Sequence, residues 1–440
     1  MKRILTTLSF CTLVYSVNAQ AINRIKLDSL FNTLASNNMD MGSIAISKHG
    51  KVIYQRAFGN AVMSPSDTVK ATGNTEYRLG SITKMFTATL IFQLIEAHKL
   101  SLTGRLSSYF PNLPNADHIT ISNLLYHRSG LADFTKNTDF DRWSDKPQTH
   151  EQLLERIAKQ KPDFEPNAAA DYNNSNYLLL GYIIENICKK PYKEVLSERI
   201  IKTLSLSKTY YGETLPDIKK EAISYKYMNN QWHRDKAVWL DNFSGCGAII
   251  STPADMLKFM EALFTGKLIS KSSLSQMQTF VDDYGMGMFG FDFDTHKGFG
   301  HNGKTEGFAS SLTYYPADGL AIAYCTNAEV YHKANVLNGV LSICFNKPYT
   351  IPTFKPIELK NNELDVYIGT YTAKVPAIQV AVKKAGNHLQ SETHGQVIDL
   401  IALGNNEFFS KAFGFFFDFD LAGKKMIIKD VEANYVLDKQ

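Results

Sequence analysis

Apolar and polar residues alternate or cluster on both sides of His49-Gly50, in SIAISK at 43–48 and KVIYQRAF at 51–58, which predicts a β-hairpin. From Ser81 to about His98 the run SITKMFTATLIFQLIEAH is apolar nearly all round. That pattern predicts a long, centrally buried helix that Ser81 is placed to start. A mixed, mostly helical region follows to about residue 270. FASSLTYYPADGLAIAYCTN at 308–327 then predicts two strands joined through Pro316-Ala317-Asp318-Gly319, and a helix over about 331–345 closes the unit. Strands at both ends of a helical middle imply an α+β fold, an antiparallel sheet built from both ends of the chain with helices packed on it.

Composition shifts after residue 345. Pro348, Pro352 and Pro356 mark a linker over 346–358. Beyond it IQVAVKK, QVIDLIAL, FFFDFDLAG and KKMIIKD predict successive short antiparallel strands, hence a small β-barrel or sandwich over 359–440. The first nineteen residues, MKRILTTLSFCTLVYSVNA, combine a basic start, an apolar middle and small residues at Val17 and Ala19. They predict a signal peptide over 1–19, which leaves 20–345 as the first folded domain of a periplasmic or secreted protein, with no later membrane span.

The 440 residues are 44% apolar and 12% aromatic, ample for two or three buried cores. A formal charge of +4, with no Lys/Arg run longer than two, gives no footprint for nucleic acid. Cys188, Cys246, Cys325 and Cys344 remain after cleavage and sit among apolar neighbours, so they read as small buried hydrophobes rather than a disulfide scaffold. The eleven histidines form no close pair at ligand spacing, so no metal is expected.

Ser81-Ile82-Thr83-Lys84 carries the Ser-x-x-Lys spacing of serine acyl-enzymes that lack a catalytic histidine. Residues i and i+3 share a helix face, so Lys84 can lie beside the Ser81 hydroxyl and move its proton, while the helix start offers N–H groups to a developing oxyanion. Ser205 and Lys208 repeat the spacing, but without a long buried helix behind them. The alternative for Ser81 is a helix cap and for Lys84 a solvated side chain, which fits poorly among Ile82, Met85 and Phe86. Tyr172-Asn173-Asn174 opens another apolar helix, and a tyrosine near a lysine can act as general acid and base. Tyr227-Met228-Asn229 shares that spacing in a polar setting. His301-Asn302-Gly303 precedes the strand near Phe308 and can line the nucleophile with close-approaching backbone, and His296-Lys297-Gly298 shares its spacing.

The order SITK, YNN, HNG resembles the Ser-x-x-Lys, Tyr-x-Asn and Lys/His-x-Gly set of the class C β-lactamase and serine penicillin-binding-protein family. YRLGSITKMFTA, LLYHRSGL (124–131), GCGAIISTPADMLKF (245–259), YGMGM (284–288) and GHNGKTEGF (300–308) extend the resemblance over roughly residues 25–345. LDVYIGTYTA at 364–373 is similar to the opening of the lipocalin-like β domain often appended to these hydrolases. The resemblance implies Ser81 as nucleophile, Lys84 as its proton-transfer partner, Tyr172 as general base and acid, and Asn174 binding a substrate amide. It places His301 and Gly303 on the strand facing the nucleophile, and the N–H groups of Ser81 and Lys304 in the oxyanion hole. No cofactor is implied, and the substrate it implies is a small molecule or peptide, with cell-wall peptide among the candidates.

His301 stands where drug-hydrolysing members usually carry lysine. Histidine is mostly neutral at pH 7, so esterase or D-amino-acid peptidase activity is expected ahead of true β-lactamase activity, with charge at this position returning toward pH 6. The competing expectation is a penicillin-binding or cell-wall peptide receptor that acylates without turnover.

Overall fold

The computed structural model of the chain describes residues 22–64, 68–214, 216, 220–228, 231–429 and 434–440. The signal-peptide segment 1–19 lies outside the described residues. Six strands form an antiparallel path in the order Phe289–Gly290, Phe299–Thr305, Phe308–Tyr315, Leu320–Glu329, Asp40–Lys48, Lys51–Phe58. The sheet therefore joins both ends of the unit, Ser43 pairing with Cys325 and Ile46 with Ile322.

Its central strands are buried on both faces, and the two-residue strand period sorts their side chains. Leu320, Ile322 and Tyr324 enter one core with Leu27, Leu30 and Phe31 of the helix Arg24–Ser36 and Val336 and Val340 of the helix Lys333–Cys344. Ala321, Ala323 and Cys325 face the opposite core. These small residues leave room for the helix Pro253–Phe264, which packs on the sheet. Deeper in the same core lies the helix Thr83–Glu96, of which Thr83 through Phe92 and Leu94 are buried. A helix enclosed on all sides needs no polar face, which explains its uniform apolar sequence.

The α+β reading holds, with local differences. The predicted helix at 81–98 begins as a 3-10 turn, Gly80–Ile82, before the α-helix Thr83–Glu96. Tyr172 does not open a helix. The helix runs Asn174–Cys188, with Asn173 extended as its N-cap. Asn173 is instead held extended by a distant segment, its N–H donating to His127 Nδ1 at 3.1 Å and its Nδ2 to the Leu131 carbonyl. All four cysteines of the described residues are free, but only Cys246 and Cys325 are buried, and Cys188 and Cys344 are half-buried.

The C-terminal strands close on themselves. Eight antiparallel strands, from Gly369–Lys374 to Asn434–Lys439, form a barrel in which Tyr371 of the first pairs with Lys439 of the last. Val380, Leu389, Phe408, Phe417, Phe419, Met426 and Leu437 fill its interior. Residues 346–358 contain no helix or strand, yet they are not a free spacer. Phe354 is buried against Tyr331 of the first unit and Phe409 of the barrel, each at a ring separation of 5.2 Å, and the Ile357 N–H donates to the Ala402 carbonyl at 2.9 Å.

Candidate active site

The 3-10 turn sets Ser81 at the floor of a cleft of about 880 Å³. Thr83–Glu96 takes Ile82 as its cap, without a side-chain bond, so the Ser81 hydroxyl is not spent on capping. One turn on, Lys84 is fully buried. Its Nζ donates to Ser81 Oγ at 3.0 Å, to Asn174 Oδ1 at 2.8 Å and to the Cys246 carbonyl at 3.0 Å. Three donors meet three acceptors, which is how an ammonium survives burial.

The amide of Asn174 is fixed from behind. Its Nδ2 donates to Asp133 Oδ2 and Thr135 Oγ1, both at 3.0 Å. Asp133 is itself buried and also accepts from the N–H and hydroxyl of Thr135 at 2.9 and 2.8 Å. Both amide N–H groups of Asn174 are therefore engaged within the protein, and its oxygen is turned to Lys84.

Tyr172 stands beside this group. Lys84 Nζ lies 4.8 Å from its ring centroid, and the ring is packed by His127, Phe289 and His301 at 4.7, 6.1 and 6.2 Å. Its hydroxyl is buried and has no hydrogen-bond partner among the described residues.

The strand Phe299–Thr305, second in the sheet and flanked only by the two-residue strand Phe289–Gly290, forms the facing wall, contributing His301, Gly303 and Lys304 to the cleft lining. A Cβ on Gly303 would overlap the Leu79 carbonyl oxygen, and one on Gly80, whose φ is +54°, would come within 2.8 Å of the Lys304 carbonyl. Two glycines thus let the strand backbone press against the turn that carries Ser81. His301 is buried, and its Nδ1 donates to the Asn302 carbonyl, leaving Nε2 as an acceptor. Burial first, and the Lys84 cation second, push its pKa down to about 3. This corrects the expectation that His301 gains charge toward pH 6: the ring is neutral across the working range because charging it would place a second cation in an enclosed site.

A buried arginine braces the deeper wall. Arg78 meets Glu221 and Glu306 at 3.2 and 3.0 Å and donates to the Val238 carbonyl at 3.0 Å, while Glu306 accepts the Val238 N–H at 2.7 Å. Val238 lines the cleft with Phe140 and Phe243, giving it one apolar side.

All seven site residues read from the sequence, Ser81, Lys84, Tyr172, Asn174, His301, Gly303 and Lys304, line this cleft or touch its lining. Their sequence look-alikes stand elsewhere. Ser205 sits in a left-handed turn with φ +51°, and Lys208 pairs with Glu76 at 3.4 Å. Tyr227 packs edge-on to Trp232 in a surface hairpin. His296 lies in a turn, 2.9 Å from Asp318 and stacked on Phe345. Sequence reasoning missed Asp133, Thr135 and the Cys246 carbonyl. Cys246 belongs to a stretch that resembled the family, but nothing in its spacing pointed to Lys84.

An antiparallel sheet carrying helices, with a Ser-x-x-Lys turn against the strand Phe299–Thr305, defines a β-lactamase/transpeptidase-type serine hydrolase. The Beta-lactamase family model matches residues 29–341, and the chain belongs to that family. It is 26% identical to a penicillin-binding protein of Bacillus subtilis over 92% of this chain and 96% of the other. It is 27% identical to the teichoic acid D-alanine hydrolase of Staphylococcus aureus over 61% of this chain and 64% of that one. The crystal structure of D-amino acid amidase from Ochrobactrum anthropi SV3 superposes with a TM-score of 0.66 and 26% identity, covering 73% of this chain and 99% of the amidase. Among the described residues no helix is long and apolar enough to cross a membrane.

Proposed function

We propose that this protein is an exported hydrolase that forms an acyl-enzyme at Ser81 and releases the acyl group to water, acting on D-amino-acid amides or esters and short acyl esters ahead of β-lactams. The observation that carries the reading is the environment of Lys84. Of its three partners, Asn174 Oδ1 and the Cys246 carbonyl can only accept hydrogen bonds. When Lys84 gives up a proton, its lone pair therefore has one partner able to fill it, the Ser81 hydroxyl at 3.0 Å. The site is built to aim a base at that oxygen and to return the proton later.

Tyr172, with its unpartnered hydroxyl beside Lys84, is the second proton carrier and protonates the leaving group. The N–H groups of Ser81 and Lys304 take the oxyanion, since Gly80 and Gly303 bring those two backbones together. Asn174 holds Lys84, and the remaining lone pair of its oxygen is what it can offer a substrate N–H.

Substrate preference follows from His301. A neutral ring offers no fixed cation to a β-lactam carboxylate, and the amidase and D-alanine hydrolase among the relatives act on D-amino-acid derivatives. The test is a hydrolysis panel of D- and L-alanine amides and esters, p-nitrophenyl acetate and a chromogenic cephalosporin. Faster turnover of the D-alanine derivatives and the ester is expected. Preferred hydrolysis of the cephalosporin would refute the preference, and stable acylation with no turnover would favour the receptor reading.

A further inference from the structure

The stretch LLYHRSGL at 124–131 has no part in the proton path above, yet it runs beside the segment that delivers Tyr172. The Arg128 carbonyl accepts the Asn167 N–H at 2.8 Å, Ser129 Oγ donates to Asn176 Oδ1 at 2.6 Å, and the Leu131 carbonyl accepts from Asn173 Nδ2. His127 goes further. Its carbonyl accepts the Asp171 N–H at 3.0 Å and its Nδ1 accepts the Asn173 N–H at 3.1 Å, so it holds the residues immediately before and after Tyr172. Its ring lies 4.7 Å from the Tyr172 ring, on the side chain the two bonds bracket.

We infer that His127 is a positioning residue that fixes Tyr172 through these three contacts and so sets the direction of its hydroxyl beside Lys84. This rests on the role given to Tyr172 above. The backbone of His127 is left-handed, φ +57°, which turns its carbonyl and its side chain toward the same short segment. Accepting the Asn173 N–H requires a lone pair on Nδ1, hence a neutral ring. Burial, with the Lys84 cation and His301 nearby, lowers the imidazole pKa well below the usual range and keeps that lone pair available. A core histidine serving packing alone would have no reason to bracket one particular side chain from both neighbours.

The test uses the full chain with p-nitrophenyl acetate as probe. His127→Asn and His127→Gly both tolerate positive φ, and only Asn keeps an acceptor near the Nδ1 position. His127→Gly is expected to lower kcat by ~10-fold or more, within the range of misplaced proton transfer, with KM changed by less than about 3-fold. His127→Asn should recover most of that loss. Combined with Tyr172→Phe, His127→Gly should cost nothing further, because the group it positions is gone. Additive losses, a change confined to KM, or an unaffected kcat in His127→Gly would overturn the inference. If the Gly variant does not fold, His127→Asn decides alone, since a loss there as large as that of Tyr172→Phe excludes the acceptor role. A Tyr172→Phe enzyme at wild-type rate would instead sink the reading of Tyr172, and the two failures are separable.

Discussion

Lys84 Nζ and Asn174 Oδ1 are 2.8 Å apart, and the amide between them cannot flip. Asp133 Oδ2 takes both the backbone N–H and the Nδ2 of Asn174, so a reversed amide would aim N–H at an ammonium and oxygen at a carboxylate. Asp133 thus acts on the nucleophile through two intermediaries.

Asp133→Asn replaces that double acceptor with a group that can donate. Turnover should fall ~10- to 100-fold, the scale of a displaced proton-transfer group, and the loss should vanish in a Lys84→Ala background. Steady-state kinetics on the four corners of this cycle check it, and equal losses in both backgrounds would remove Asp133 from the chain of contacts.

Tyr172→Phe and Lys84→Ala should each lower turnover by at least ~100-fold. Tyr227→Phe should stay near wild type, because Tyr227 lies in a surface hairpin against Trp232. Retained activity in Tyr172→Phe would take the phenol out of the mechanism.

His301 gives a pH prediction with a definite sign. With its pKa at about 3, the ratio of kcat/KM for a cephalosporin to that for a neutral ester should show no step from imidazole titration between pH 5.5 and 8.5. His301→Lys should raise that ratio by ~10-fold, about 1.4 kcal/mol in the transition state. The same depression bears on stability. Below about pH 6.5 the unfolded chain protonates this histidine and the folded chain does not, so its contribution is full above that pH and falls on acidification, by up to about 1.4 kcal/mol per pH unit. Denaturation from pH 7 to 4.5 should therefore be less pH-dependent in His301→Gln than in wild type, and equal slopes would mean the ring is accessible to protons when folded.

Much of this was legible in the sequence, for identifiable reasons. Alternation gave the hairpin and the strands at 308–327, and the apolar run after Ser81 gave a buried helix. Context separated Ser81 from Ser205 and Tyr172 from Tyr227, since a long apolar run differs in pattern from a short or polar stretch, whereas His301 was set apart from His296 by the family resemblance alone. Contacts between distant segments left no such trace. Asp133 reaches Asn174 across 41 positions and Lys84 reaches Cys246 across 162, the latter through a backbone carbonyl that any residue could supply. Barrel closure depends on Tyr371 meeting Lys439, which period-2 strands cannot reveal. The charge of His301 is equally a property of what surrounds it.

Phe354 tests how the barrel is attached. Its ring joins Tyr331 to Phe409, so Phe354→Ala should destabilise the docked barrel by about 3–5 kcal/mol. Since Phe354 does not line the cleft, kcat on a small ester should change little. A fragment ending near residue 350 should likewise turn over a small ester, though with exposed apolar surface around Tyr331. Loss of activity in folded Phe354→Ala would show that barrel docking completes the site.

The most direct test of the central claim is to locate the acyl group. The protein is treated with a fluorescent penicillin or a fluorophosphonate, digested, and the modified peptide is identified by mass spectrometry in wild type, Ser81→Ala and Ser205→Ala. The account predicts one adduct, on Ser81, abolished by Ser81→Ala and untouched by Ser205→Ala. Labelling that survives Ser81→Ala, or disappears in Ser205→Ala, would contradict it.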